Sequence, residues 1–198
     1  MNDFYVVSAS ENDGISLFFE EGWKPALPEF NQVVKNPELG GFADSYEMKA
    51  DLERFEVDVV LEQYIASSEF VRMCESQNCS FIDLPLKIVL LGGAETEREY
   101  RFFCVLSRCS LLDSENSVFT LMDERLLRPS EEREGMSPVY DRIDSFVPGK
   151  GVLENLFYCE ELKQVVCSSL FKADYDEKGL AGLEFQKIDD DFVYAPWG

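Results

Sequence analysis

Histidine is absent from all 198 residues, and that gap removes most familiar active-site designs. Ser-His-Asp triads, Cys-His pairs, HExxH zinc sites, a proximal haem ligand and a histidine general base all need an imidazole. Basic residues are scarce too: 18 Lys+Arg stand against 39 Asp+Glu, a formal net charge of -21. A field of that sign repels nucleic-acid phosphates and anionic lipid, so direct nucleic-acid binding and membrane association are disfavoured. Long apolar runs are missing. The longest, Ile88 to Ala94, falls far short of the ~20 residues that span a bilayer. Phosphate-cradling loops are missing as well: no GxxxxGKS/T or GxGxxG pattern occurs, and Gly149-Lys150-Gly151 after Pro148 reads as a turn. The N-terminus, MNDFYVVSAS, has no basic n-region and no apolar h-region, so a cytoplasmic protein without a leader is expected.

What is present suits a packed interior. Apolar residues make up 45% of the chain, with 16 Phe and 8 Tyr, enough for one domain or two small lobes sharing a core. Six cysteines occur: Cys74, Cys79, Cys104, Cys109, Cys159 and Cys167. A reducing compartment favours free thiols over disulfides. Four residues separate Cys74 from Cys79 and Cys104 from Cys109, wider than the tight knuckles of thiolate zinc sites, so small buried hydrophobes are expected and no metal or cofactor.

Along the chain, residues 3–10 read as a first strand. Residues 11–50 are broken by Gly and Pro, yet carry Phe18, Phe19, Trp23, Phe30, Phe42 and Tyr46, which suggests an ordered covering segment. Residues 52–64 leave helix and strand open. Ile65-Ala66-Ser67-Ser68-Glu69-Phe70 then runs from strand into a helix ending near Asn78, followed by a strand at 81–84. The serines can cap the helix, and Glu69 complements its dipole. Further strands are expected at 86–91, 99–106 and 138–147, the last alternating Val139, Asp141, Ile143 and Ser145 against Tyr140, Arg142, Asp144 and Phe146. Residues 123–137 read as an exposed charged loop. Val166-Cys167-Ser168-Ser169-Leu170-Phe171 repeats the earlier unit as aliphatic, small, Ser, Ser, any, Phe, and again leads through a helical stretch to a strand at 183–188. The fold class is therefore α+β: mixed β-sheets with short helices, and two related lobes at 1–84 and 85–198, each with a strand–helix–strand unit. The first holds an irregular acidic, aromatic-containing segment.

Catalytic candidates are thin. With 39 acids, adjacent carboxylates such as Glu20-Glu21, Glu131-Glu132 and Asp189-Asp190-Asp191 arise freely and ordinarily form a solvated face. Cys167, just before the cap Ser168, is the best-placed thiol for activation by a helix N-terminus, against the plainer reading of a buried strand-end residue. A metal-using carboxylate enzyme without histidine stays open as a third reading.

The second half has a recognisable order. Tyr100, Phe102 and Phe103 lead to Leu111-Leu112-Asp113-Ser114-Glu115-Asn116-Ser117, a charged insert and Tyr140-Asp141-Arg142-Ile143. Leu156-Phe157-Tyr158, Val165 to Phe171 and Gly179 to Phe185 follow. This resembles bacterial immunity proteins of polymorphic toxin systems, immunity protein family 11 and the similar family 43, over about residues 99–188. The long irregular N-terminal segment departs from that pattern. The resemblance implies a non-enzymatic protein that binds and neutralises a cognate toxin, expected to be basic, by occluding its functional surface. Under that reading the toxin contacts are expected at Asp123, Glu124, Glu131, Glu132, Glu134, Asp189, Asp190 and Asp191, with Trp197 as an aromatic anchor. The alternative is an acidic nucleic-acid mimic or adaptor that regulates other basic proteins. The sequence is silent on homo-oligomers.

Overall fold

The computed structural model describes residues 3–10, 22–127 and 138–197. The fold is α+β: sheets of six, five and two strands, with two short helices. The larger sheet has the order β2 (Trp23–Lys24), β3 (Tyr46–Lys49), β6 (Phe81–Val89), β7 (Tyr100–Val105), β5 (Ile65–Ser67), β4 (Val59–Val60). The second has the order β13 (Leu183–Lys187), β1 (Phe4–Ala9), β12 (Gln164–Ser168), β11 (Leu156–Cys159), β8 (Arg108–Cys109). A hairpin of β9 (Val118–Leu121) and β10 (Tyr140–Ser145) completes the strands.

The repeated Ser-Ser-x-Phe sequence produces the same local structure twice. Helices α1 (Ser68–Ser76) and α2 (Ser169–Glu177) are nine residues each, and the first serine caps both. Ser67 Oγ accepts from Phe70 N and Ser168 Oγ from Phe171 N, both at 3.2 Å. Neither helix is long enough to stand alone in water. Both are held by Phe70 and Phe171, fully buried with ring centroids 6.0 Å apart, each burial contributing about 2–3 kcal/mol.

The likeness extends to topology. In the first unit β4 pairs with β5, α1 leads to β6, and β7 lies antiparallel between β5 and β6. In the second, β11 pairs with β12, α2 leads to β13, and the strand between β12 and β13 is β1, from the other end of the chain. The sheets therefore do not follow the division at 84/85. That point lies inside β6, and β1 belongs with the C-terminal strands.

Three apolar clusters stack through the molecule. The middle one packs both helices between the sheets, joining Val7, Ala66, Phe70, Phe103, Leu156, Phe171 and Leu183. On the far side of the six-stranded sheet, Trp23, Tyr46, Phe55 and Phe102 pack with Phe30 and Phe42, so the aromatics of the N-terminal segment do cover a sheet. Phe18 and Phe19 lie outside the described residues. On the far side of the five-stranded sheet, Phe4, Phe157 and Val166 meet Tyr140, Ile143, Phe146 and Phe192. Strand β7 is apolar almost throughout because both its faces are covered: Phe102 faces one cluster and Phe103 the next.

Two expectations need correction. The strands expected at 81–84 and 86–91 are one, β6, which runs through Pro85 and ends at Val89. Pairing with β3 begins only at Leu86, so the proline sits where β6 has a single neighbour. In β10 the buried residues are Tyr140 and Ile143, with Phe146 next, just past the strand's end; the spacing is three because register shifts on either side of the Arg142/Ile143 pairing reset the alternation.

The sheets are joined at Asp58 and Gly182. Buried Asp58 accepts from Ser67 Oγ at 2.9 Å, Arg98 Nη1 at 3.0 Å and Ala181 N at 3.0 Å, while its own N–H donates to Ala181 O at 2.8 Å. Gly182 has φ of 116°, and a Cβ there would stand 2.1 Å from Val59 O. Only glycine permits that approach.

Candidate functional site

The outer layer over the five-stranded sheet consists of the β9–β10 hairpin, the loop 146–153 and the tail 188–197. Its inner side is anchored by packing: Phe119 on Tyr140 at 5.2 Å, Phe146 on Phe192 at 6.0 Å. Ile143 and Tyr194 exchange backbone hydrogen bonds of 2.9 and 3.0 Å, fixing the tail along β10. Buried Glu161 accepts from Leu111 N at 3.0 Å and from Ser110 Oγ, pinning the approach to the hairpin.

The Leu-Leu-Asp-x-x-x-Ser sequence explains the next turn. Asp113 Oδ1 accepts from Glu115 N and Asn116 N, and Oδ2 from Asn116 Nδ2 at 2.8 Å. The Asn116 amide leads in holding the Asp113 carboxyl below its ordinary range. Ser117 Oγ then accepts from Val147 N at 3.0 Å, closing the hairpin onto the following loop. These are turn-forming roles, with no chemistry to perform.

The outer side of this layer is unusually apolar. Among the described residues nine large hydrophobics are exposed, and six of them lie here: Val118, Leu121, Leu126, Leu153, Val193 and Trp197. Scattered exposed hydrophobics are normal, but concentration in one layer marks a contact surface. A cleft of about 590 Å³ opens at one end, walled by Phe4, Phe146, Val152, Leu153 and Ile188 and rimmed by Asp3, Asp189, Asp190, Lys150 and Lys187. Lys187 pairs with Asp3 at 2.9 Å, leaving Asp189 and Asp190 with Lys150 as the other rim charges. A second cleft, about 670 Å³, runs beside β3, β6 and β7. Of its four cations Lys87, Arg98 and Arg101 are paired with Glu95, Asp58 and Asp83, and with Lys24 they face the four glutamates Glu47, Glu95, Glu97 and Glu99, so it is a charge-balanced sheet rim.

The contact residues expected from sequence fall as follows. Asp189, Asp190 and Asp191 are exposed in the turn after β13, where Asp189 Oδ1 accepts from Asp191 N at 3.2 Å. Asp189 and Asp190 rim the apolar cleft. Asp123 follows β9 at the opposite end of the hairpin, its carboxyl held low by the Arg125 guanidinium. Glu124 begins the 3-10 turn Glu124–Leu126. Trp197 is 66% exposed, and the tail bearing it runs antiparallel to β10 toward the Tyr140 end. Glu131, Glu132 and Glu134 lie outside the described residues. The layer thus brings Asp123, Glu124, Asp189–Asp191 and Trp197 onto one side of the five-stranded sheet. Sequence reasoning passed over Val118, Leu121 and Leu153: β9 is a four-residue apolar stretch against a charged insert, too short for a periodic signal.

Of the groups weighed for catalysis, Asp189–Asp191 belong to this layer, Glu20 and Glu21 lie outside the described residues, and Cys167 sits elsewhere, in the middle cluster. All six thiols are free. Cys167 is fully buried, and desolvation pushes its thiol well above the ordinary range, as it does for Cys159. A helix N-terminus cannot activate a thiol that water and substrate do not reach. Cys104 is pushed up to about 12 by the same cause. Cys79 is the exception, lowered by a hydrogen bond with Cys74, whose own thiol is raised by burial. Among the described residues no three His, Cys, Asp or Glu side chains are grouped to hold a metal ion, and no helix is long and apolar enough to cross a membrane. No protein-family model matches the chain, and no curated protein shows significant similarity to it.

Proposed function

We propose that this protein is an immunity protein: it binds a cognate bacterial toxin in the cytoplasm and neutralises it by occlusion, without catalysis. The observation that carries the reading is the outer layer, which holds six of the nine exposed large hydrophobics among the described residues together with the exposed acids Asp123 and Asp189–Asp191. An apolar centre with a charged rim is how protein partners recognise one another. The net charge of -21 suits a basic partner, because opposed fields accelerate encounter while buried anchors set dissociation. The resemblance of residues 99–188 to immunity proteins of polymorphic toxin systems supports the same conclusion.

The test has two stages. A tagged copy is used for affinity capture in the organism that encodes it, at low and high salt, and the captured protein is then expressed alone and with this chain. The expected result is one stoichiometric partner that survives high salt, arrests growth when expressed alone, and is harmless when co-expressed. A set of basic proteins all lost together at high salt would instead indicate an acidic mimic or adaptor. A captured enzyme whose host grows normally would remove the immunity reading.

A further inference from the structure

The described sheets present six strand edges, and five are protected. β2 and β8 are two residues long, and β2 runs into Pro25. β4 is two residues, both buried. β13 carries Glu184 and Lys187 within five residues. β10 is covered by Tyr194 through the pair of hydrogen bonds to Ile143. Short edges, charges, proline and covering chain are the devices by which proteins keep edges from pairing with other chains. Among the described residues β9 has no charge, no proline and no chain laid along it. Its sequence is Val118-Phe119-Thr120-Leu121, it pairs with β10 alone, and Val118 and Leu121 are 59% and 49% exposed.

The surroundings indicate what would pair there. Arg125 and Arg142, the two cations of the described hairpin region, are each bound to a neighbouring carboxylate, Asp123 and Asp144. Glu115 and Asp141 have no cation against them among the described residues, so the hairpin keeps a negative balance around an apolar edge.

We propose that β9 is the docking strand of the protein: its partner adds an extended, Lys- or Arg-bearing segment alongside β9 and turns the hairpin into a three-stranded sheet. Main-chain hydrogen bonds to β9 supply affinity. Val118 and Leu121 supply apolar contacts, and the acids choose a basic segment over others. The inference rests on the immunity reading and names the surface through which it acts.

The test uses the full chain with the captured partner. Amide exchange is measured on both, and Leu121→Pro, which removes a backbone donor on the side away from β10, is compared with Leu121→Val. Met122 N donates to Val139 O across the hairpin, so the amides of 119 and 121 face away from β10; in the free chain they exchange freely, and the complex protects them. Leu121→Pro weakens binding by about 100-fold, the loss expected when a ladder pairing fails, while Leu121→Val, which keeps the donor and an apolar side chain, stays within a few-fold of the parent. If Leu121→Pro does not fold, as an altered melt would show, the exchange result decides. Unchanged exchange at 118–121 within a formed complex overturns the docking strand and leaves immunity standing. Protection already present in the free chain overturns it too: if that protection depends on concentration the occupant is a second copy, and if it disappears when residues 128–137 are deleted the occupant is this chain. Failure of the captured protein to be neutralised removes the immunity reading itself, and β9 docking with it.

Discussion

Asp58 draws its partners from three separate stretches of the chain: Ser67, Arg98 and Ala181. A carboxylate buried to 3% exposure is tolerable only with that many donors, since desolvation penalises an unpaired charge heavily. The arrangement makes it the pin between the two sheets, because Ala181 precedes β13 while Ser67 ends β5. Replacing Asp58 with Ala leaves the Ala181 N–H and the Ser67 hydroxyl short of an acceptor in a dry interior, and is expected to destabilise the fold by about 3 kcal/mol. Asp58→Asn keeps one acceptor oxygen and should lose less. Urea denaturation of the three proteins checks both the size and the order. Nothing in the sequence around Glu56-Val57-Asp58-Val59 marks this aspartate among 39 acids. Its role depends on a partner 123 residues away, and local pattern carries no information about such a pairing.

At the level of elements the sequence was far more informative. Ser-Ser-x-Phe states a helix start in local terms, a cap and a buried ring, and each piece of that statement is made within four residues of chain. The capped helices, the strands on either side of them and β7 were therefore legible. Strands β8, β9 and β11 are held by neighbours rather than by their own periodicity and were not distinguished as strands. The two helices also touch each other. Gln77 Nε2 donates to Asp174 Oδ2 at 2.8 Å, and Lys178 donates to the other oxygen of the same carboxylate. The Lys178 ammonium first, then the Gln77 amide, hold Asp174 below its ordinary pKa. The folded state therefore binds this proton less readily than the unfolded chain does. The stabilisation is fully present above the unfolded value of about 3.9, and is lost as pH falls through the lower folded value. Asp174→Asn should be less stable than the parent at pH 7. The gap should close steadily below about pH 5 and vanish in strong acid. Denaturant midpoints of the pair across that range test the sign, and a gap that widened on acidification would contradict it.

For the whole molecule, the decisive feature is that β1 lies between β12 and β13. The sequence showed two similar units and suggested a division at 84/85. Strand order in a sheet is a matter of non-local pairing, so the second unit's borrowing of its middle strand from residues 4–9 was not visible. The consequence concerns autonomy. A chain of residues 85–198 lacks Phe4, Val6 and Val7, which serve the clusters on both faces of the five-stranded sheet. It also lacks α1, whose Phe70 packs on Phe171 and on Phe103, and it begins partway through β6. β12 and β13 would face each other across a gap one strand wide, with both rows of backbone donors and acceptors unpaired. Hydrophobic burial in a small domain exceeds conformational entropy by only a narrow margin, and losing a central strand with half of the middle core removes it. Residues 85–198 alone are therefore expected to show no cooperative thermal transition and a collapsed, poorly dispersed amide spectrum. The full chain should unfold in one step, because the layer containing both helices belongs to both sheets. A dispersed spectrum from the fragment would mean instead that the C-terminal unit closes around the missing strand, and the two sheets would then be separable in evolution and in experiment.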